Sequence, residues 1–169
     1  MGAPAGQPPQ PMETRMSLTR PSDVKALLAE MEFHPSKVLG QNFLIDGNIL
    51  RILVDLAGLC PTDQVLEVGP GLGVLTEALL PKCARLVAIE KDRRLHAHLA
   101  ARLGALPHLD LRNADILDVN LDEILDGGVR KVIANVPYSV GSRFLVALFQ
   151  TRQQSERIIV TAQQEAAQR

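Results

Sequence analysis

Cysteine is scarce: Cys60 and Cys83 are the only two in 169 residues. Neither belongs to a Cys-x-x-Cys pair, and no second cluster exists to complete a zinc site. His96 and His98 stand two apart, a spacing that points them to different faces of a helix. No metal is therefore expected, and both histidines read as solvated surface residues. Two unclustered cysteines suit a reducing, cytoplasmic setting. No uninterrupted apolar run approaches the roughly 18–20 residues that span a bilayer, which excludes an integral membrane protein. The first residues, MGAPAGQPPQPMETR, contain no apolar signal-peptide core. An excess of positive charge is missing too: 18 Lys and Arg face 19 Asp and Glu, for a net charge of -1. That balance excludes a uniformly basic nucleic-acid binder, which neutralises phosphates with surplus Lys and Arg.

What the chain does contain is 46% hydrophobic residues, enough for one domain with a buried core. The Pro- and Gly-rich residues 1–20 read as a disordered N-terminal extension, and residues 21–169 as the domain. Ser22 is expected to cap a first helix carrying Val24, Leu27, Leu28 and Met31. Asp46 is expected to cap a second, through Ile49, Leu50, Leu53, Val54 and Ala57. From Val65 onward, strand signals alternate with helix-length intervals. The strands fall at 65–68, 86–90, 109–111, 132–135 and 158–160, with a helix opened by Asp92 and another near 144–149. Such alternation predicts an α/β fold, a doubly wound and mainly parallel sheet.

The sharpest local feature is Glu67-Val68-Gly69-Pro70-Gly71-Leu72-Gly73. The dinucleotide fingerprint needs a third glycine at Val74 or Thr76, and the phosphate loop needs Gly-Lys-Ser/Thr; both patterns fail. Alternate glycines after a strand still let backbone amides approach a small ligand that carries no phosphate. Glu90 ends the second strand about twenty residues beyond Gly69, where a carboxylate can accept both ribose hydroxyls. Asp115 follows the third strand and can accept from an adenine amine. All three sit at the carboxyl edge of the sheet, where such folds bind ligands. Each acid alone reads as a loop residue or helix cap; together they point to an adenosine-containing ligand without phosphate.

The fourth strand ends in Asn135-Val136-Pro137-Tyr138, expected to place the single tyrosine on a loop at the same edge. The Asn135 side-chain carbonyl and the Pro137 carbonyl are two acceptors that can orient an exocyclic amine. Tyr138 can stack on the base, a contact of about 1–3 kcal/mol, provided the base is flipped out of its helix. The plain alternative is a β-turn after a strand with a half-buried tyrosine.

These motifs resemble those of class I S-adenosylmethionine-dependent methyltransferases acting on amino groups. With Gly40-Gln41-Asn42-Phe43-Leu44 before the core, the chain closely resembles the ribosomal RNA adenine dimethyltransferase family, in its small-subunit, KsgA-like branch. The similarity runs from about Leu27 to Arg169 and includes Gln163-Gln164-Glu165. The resemblance implies S-adenosyl-L-methionine as cofactor, held by Gln41, Asn42, Leu44, Glu67, Gly69, Gly71, Glu90, Asp115, Ile116 and Asn135. Glu67 would order the glycine loop. It also implies catalysis by Asn135, Pro137 and Tyr138, with no metal and no covalent enzyme intermediate. Implied partners are ribosomal RNA and the small-subunit precursor, with no membrane and a monomeric enzyme.

Two departures stand out. The family's Ser/Thr-Pro step after the tyrosine is replaced by Ser139-Val140-Gly141-Ser142-Arg143, which leaves Arg143 near the target pocket, as a phosphate contact or a helix surface residue. The family continues beyond the position of Arg169 with further strands and a helical domain, so the last strands are expected to be missing here. Three rival readings remain: a large-subunit enzyme of the macrolide-resistance type, a non-catalytic assembly factor of the same fold, and an unrelated structural module. A net charge of -1 describes the cofactor half and does not exclude an RNA substrate.

Overall fold

The computed structural model of the protein describes residues 18, 20–33 and 46–163. The Gly40–Leu44 motif, most of the N-terminal extension and residues 164–169 lie outside the described residues. Apart from Gln64, every residue of strand β1 (Gln64–Val68) is buried, as expected of a parallel strand covered on both faces. It pairs with β2 (Arg85–Glu90) on one side and β4 (Lys131–Pro137) on the other. β3 (Leu109–Asn113) and β5 (Arg157–Gln163) complete a five-stranded, all-parallel sheet in the order β3-β2-β1-β4-β5. The strand order reverses between β1 and β4, which creates a switch point where a crevice opens at the strands' carboxyl ends.

Side chains alternate across the sheet. Leu66, Val68, Val87, Ile89, Val132 and Ala134 pack with Ile124 and Leu125 of helix α5 (Leu121–Asp126) and with Phe144 and Leu148 of α6 (Tyr138–Phe149). On the opposite face Val65, Leu86 and Ile133 meet Leu53 and Ala57 of α2 (Gly47–Ala57) and Leu75 and Leu79 of α3 (Val74–Leu79). The sheet is thus doubly wound, as the alternation predicts. By the same parity Glu67, Glu90 and Asn135 project on the α2–α3 face.

Asp46 and Asp92 cap α2 and α4 (Arg93–Leu103): each carboxylate accepts two backbone N–H groups of the first turn. Ser22 does not act as expected. The helix α1 (Pro21–Glu30) starts two residues earlier, with Arg20 at the N-cap, because proline at the first helical position already supplies the helical φ; the Ser22 hydroxyl turns to Asp23. α1 nevertheless bears on the site. Val24 and Phe33 pack against Leu72 of the glycine loop, with Val74 and Leu95. Arg94 ties this layer down through the Met31 and Glu32 carbonyls and the Phe33 ring, 5.5 Å from its guanidinium carbon.

The segment after β4 also differs from expectation. β4 extends through Pro137, and Tyr138 opens α6 directly, so no loop separates them. Pro137 has an extended ψ of 148° yet a φ of -54° that suits the residue before a helix, and the Ser142 hydroxyl reaches back to the Tyr138 carbonyl. The helix expected near residues 144–149 therefore gains its first six residues.

Among the described residues no helix is long and apolar enough to cross a membrane. Likewise no group of three His, Cys, Asp or Glu residues is placed to hold a metal ion. His98 is not simply solvated: it is half-buried on α4, with Nε2 3.2 Å from the Arg102 guanidinium.

Candidate functional site

The glycine loop and the end of β4 meet at the switch point. Gly69 has a φ of +73°, and a Cβ built there would stand 2.8 Å from the Asn135 carbonyl oxygen. Neither the backbone conformation nor the contact tolerates a side chain. Gly69→Ala is expected to lower stability by about 2 kcal/mol, from left-handed strain plus displacement of β4; chemical denaturation measures it. Unchanged stability in that variant would mean that the loop and β4 separate freely.

The N–H groups of the three loop glycines are committed within the protein. Gly69 N–H donates to the Ile89 carbonyl and Gly73 N–H to the Pro70 carbonyl. Gly71 N–H donates to Glu90 Oε2 at 3.0 Å. A phosphate-binding loop requires free N–H groups; here a carboxylate stands against the loop instead. A phosphate would be repelled at this point, whereas hydroxyls and cationic groups are accommodated.

Glu90 is the organiser of this edge. Its Oε1 accepts Asp92 N–H at 2.8 Å, so one buried carboxylate joins the glycine loop to the start of α4. Burial raises its pKa, opposed by the N–H groups of Asp92 and Gly71. The loop-ordering contact expected of Glu67 is made by Glu90. Glu67 is 1% exposed, and among the described residues neither of its carboxyl oxygens, nor the buried Thr76 hydroxyl, has a hydrogen-bond partner.

Burial pushes the Glu67 carboxyl up to about 8, reinforced by the charge of Glu90 and opposed by the nearby Thr76 hydroxyl. A carboxyl that holds its proton in the folded state, but releases it near 4.5 when unfolded, loses stability as pH rises between those values. Wild-type stability is therefore expected to fall from about pH 4.5 to pH 8 through this group. Glu67→Gln should remove that slope, leaving the variant relatively more stable at pH 8 than at pH 5. Parallel denaturation curves for both proteins across this range would contradict the assignment.

Asp115 sits beside this edge. The Asn113 side-chain amide donates to the Glu90 and Lys91 carbonyls, and Ala114 N–H to that of Glu90. Asp115 caps a 3-10 turn over Ile116–Asp118, accepting Leu117 N–H at 3.0 Å. Its other oxygen pairs with Lys91 Nζ at 2.7 Å. That ion pair, then the Leu117 N–H, holds its carboxyl below the usual carboxylate range. Lys91 was not expected at this edge; its place directly after Glu90 was the one signal in the sequence. Arg143 is exposed on α6, and its positive charge acts on both Asp115 and Lys91.

Asn135 is half-buried, and its Oδ1 lies 2.9 Å from Thr161 Oγ1 of β5. Tyr138 is 64% exposed, its ring free to meet a planar group from solution. The structure thus brings Glu67, Gly69, Gly71, Glu90, Asp115, Ile116, Asn135, Pro137 and Tyr138 to one edge of the sheet. Gln41, Asn42 and Leu44 lie outside the described residues.

A parallel sheet in this order, a glycine turn after β1 and acids after β2 and β3 define the class I methyltransferase fold. A solved dimethyladenosine transferase from Plasmodium falciparum superposes with a TM-score of 0.62 at 24% identity, over 70% of this chain and 42% of that one. The 23S rRNA methyltransferase ErmE gives 0.59 at 25% identity, over 70% and 48%. Residues 32–169 match the family described as ribosomal RNA adenine dimethylase. Ribosomal RNA small subunit methyltransferase A of Opitutus terrae is 43% identical over 159 residues, 91% of this chain and 56% of that protein. The chain belongs to the ribosomal RNA adenine dimethylase family. It spans about half the length of the curated relatives it matches.

Proposed function

We propose that the protein binds S-adenosyl-L-methionine and transfers its methyl group to the exocyclic amines of adenosines in small-subunit ribosomal RNA, twice per target. The observation that carries this reading is the edge itself. The Glu90 carboxylate stands against a glycine loop whose three glycine N–H groups are already bonded, with the Glu67 carboxyl, Asp115, Asn135 and Tyr138 at the same edge. Such a set suits a ligand with hydroxyls, an ammonium and a sulfonium, and no phosphate. Relatives named for small-subunit methylation support the RNA class.

In this reading Glu90 offers its remaining lone pairs to the ribose hydroxyls. Asp115 accepts from the adenine amine, with Ile116 against the ring. Gly69 and Gly71 keep the loop low enough for the methionine portion, above Glu67, and the family resemblance assigns further cofactor contacts to Asn42 and Leu44, with Gln41 beside them. When bound, S-adenosylmethionine would supply a methyl carbon activated by its cationic sulfur, open to attack by an amine lone pair with the sulfur as leaving group. Asn135 and the Pro137 carbonyl accept the amine hydrogens and aim its lone pair at that carbon. Tyr138 stacks on the flipped base. The proton released from the methylated amine passes to solvent, so positioning supplies most of the acceleration. Arg143, exposed beside Asp115, contacts an RNA phosphate.

Calorimetry with S-adenosylmethionine tests the first half: no binding by folded protein defeats it. Methylation of each purified ribosomal subunit tests the second. Dimethyladenosine in the small subunit is expected, and label confined to the large subunit would transfer the assignment to the ErmE-like branch, which the likeness to that structure favours less than the named relatives favour the small subunit.

A further inference from the structure

We infer that Thr161 is the positioning residue that sets the orientation of the Asn135 amide, an inference that rests on the methyltransferase reading above. Parallel pairing of β4 with β5 aligns Asn135 with Thr161. Ile159, two residues earlier, packs with the α2–α3 face, so alternation places the Thr161 side chain on the face that also carries Asn135. Both residues are half-buried.

The Thr161 hydroxyl has one proton and two acceptors within reach. Its Oγ1 lies 2.9 Å from Asn135 Oδ1 and 3.3 Å from the Ala134 carbonyl oxygen. It cannot serve both fully. With the amide carbonyl toward β5, the hydroxyl donates to Oδ1 and takes up one of the lone pairs that a target amine needs. A half-turn of the amide resolves the competition. Asn135 Nδ2–H then donates to Oγ1, the hydroxyl proton goes to Ala134, and Oδ1 swings away from β5 with both lone pairs open. Thr161 is the amide's partner in either orientation, and where it sends its proton selects between them. A purely apolar residue in this position would leave the Asn135 amide without that partner and free to sample both orientations. A serine would keep the hydroxyl and the selection.

Thr161→Val and Thr161→Ser distinguish these outcomes. Turnover of Thr161→Val on small-subunit rRNA is expected to fall about tenfold, with S-adenosylmethionine affinity within about threefold of wild type. Thr161→Ser should recover turnover to within about twofold. In amide NMR the Asn135 side-chain NH2 pair should shift or broaden in the valine variant and return in the serine variant. A valine variant with wild-type turnover, valine and serine variants equally impaired, or an Asn135 pair unmoved by loss of the hydroxyl would each overturn the inference. If Thr161→Val loses its folded signal dispersion, Thr161→Ala gives the same readouts. Failure of wild type to bind S-adenosylmethionine defeats the methyltransferase reading instead, and the Asn135 signals still decide whether Thr161 holds the amide.

Discussion

Asn135→Ala is expected to lower methyl transfer by roughly 100- to 1,000-fold, the range seen when one preorganised polar group is removed from a reacting centre. Its reading as an amine-orienting residue predicts where the loss falls. The side chain aims a lone pair in the transition state, so kcat should drop while S-adenosylmethionine affinity stays within about threefold. Calorimetry on the variant, paired with steady-state methylation, separates the two quantities. A variant whose cofactor affinity collapses in step with turnover would place Asn135 in cofactor binding alone. The backbone is not the confounding factor: the Asn135 carbonyl that Gly69 approaches survives in alanine, so the loop keeps its seat.

Glu90→Ala is expected to weaken S-adenosylmethionine binding by about 100-fold, near 2.7 kcal/mol. Two effects combine. The ribose hydroxyls lose their acceptor, and the N–H groups of Gly71 and Asp92 lose the carboxylate that joins loop to helix. Hydrogen bonds to a charged group contribute about 1.5–3 kcal/mol each, and water entering the vacated space returns part of that. Glu90→Gln should fall between alanine and wild type, because an amide presents only one acceptor oxygen to two donors. Acid should imitate the alanine variant in part. Burial raises the Glu90 pKa, so protonation and loss of acceptor strength set in above the usual carboxylate range. Equal affinity in wild type and Glu90→Ala would remove Glu90 from the ribose site and leave it a purely structural tie.

The gathering of the candidate residues at one edge was legible because they occupy backbone-dictated positions. Glycines at alternate places after a buried strand, an acid at the next strand's end and Asn-Val-Pro-Tyr after the fourth each follow from local constraints. Glu67 was visible as the one ionisable residue in an otherwise apolar central strand. What remained hidden depends on register. Thr161 reads in sequence as one more β-branched strand residue, and only the pairing of β4 with β5 sets its hydroxyl against Asn135. That Glu90 rather than Glu67 bonds the glycine loop was equally invisible, since both acids lie near the strand ends beside that loop. The loop expected at Tyr138 is absent because the φ of Pro137 lets the strand pass straight into α6.

The sequence by itself determined the doubly wound class, the two aspartate caps and the gathering of the candidate residues at one edge of the sheet. The alternation of strands with helices and the capping of helices are local or nearly local properties, written in periodicity and in residues that satisfy free backbone donors. The tertiary structure decided which carboxylate holds the loop, that the N–H groups of its glycines are bonded within the protein, and which hydroxyl faces Asn135. Those outcomes depend on distances between residues far apart in the chain, which no spacing along it encodes.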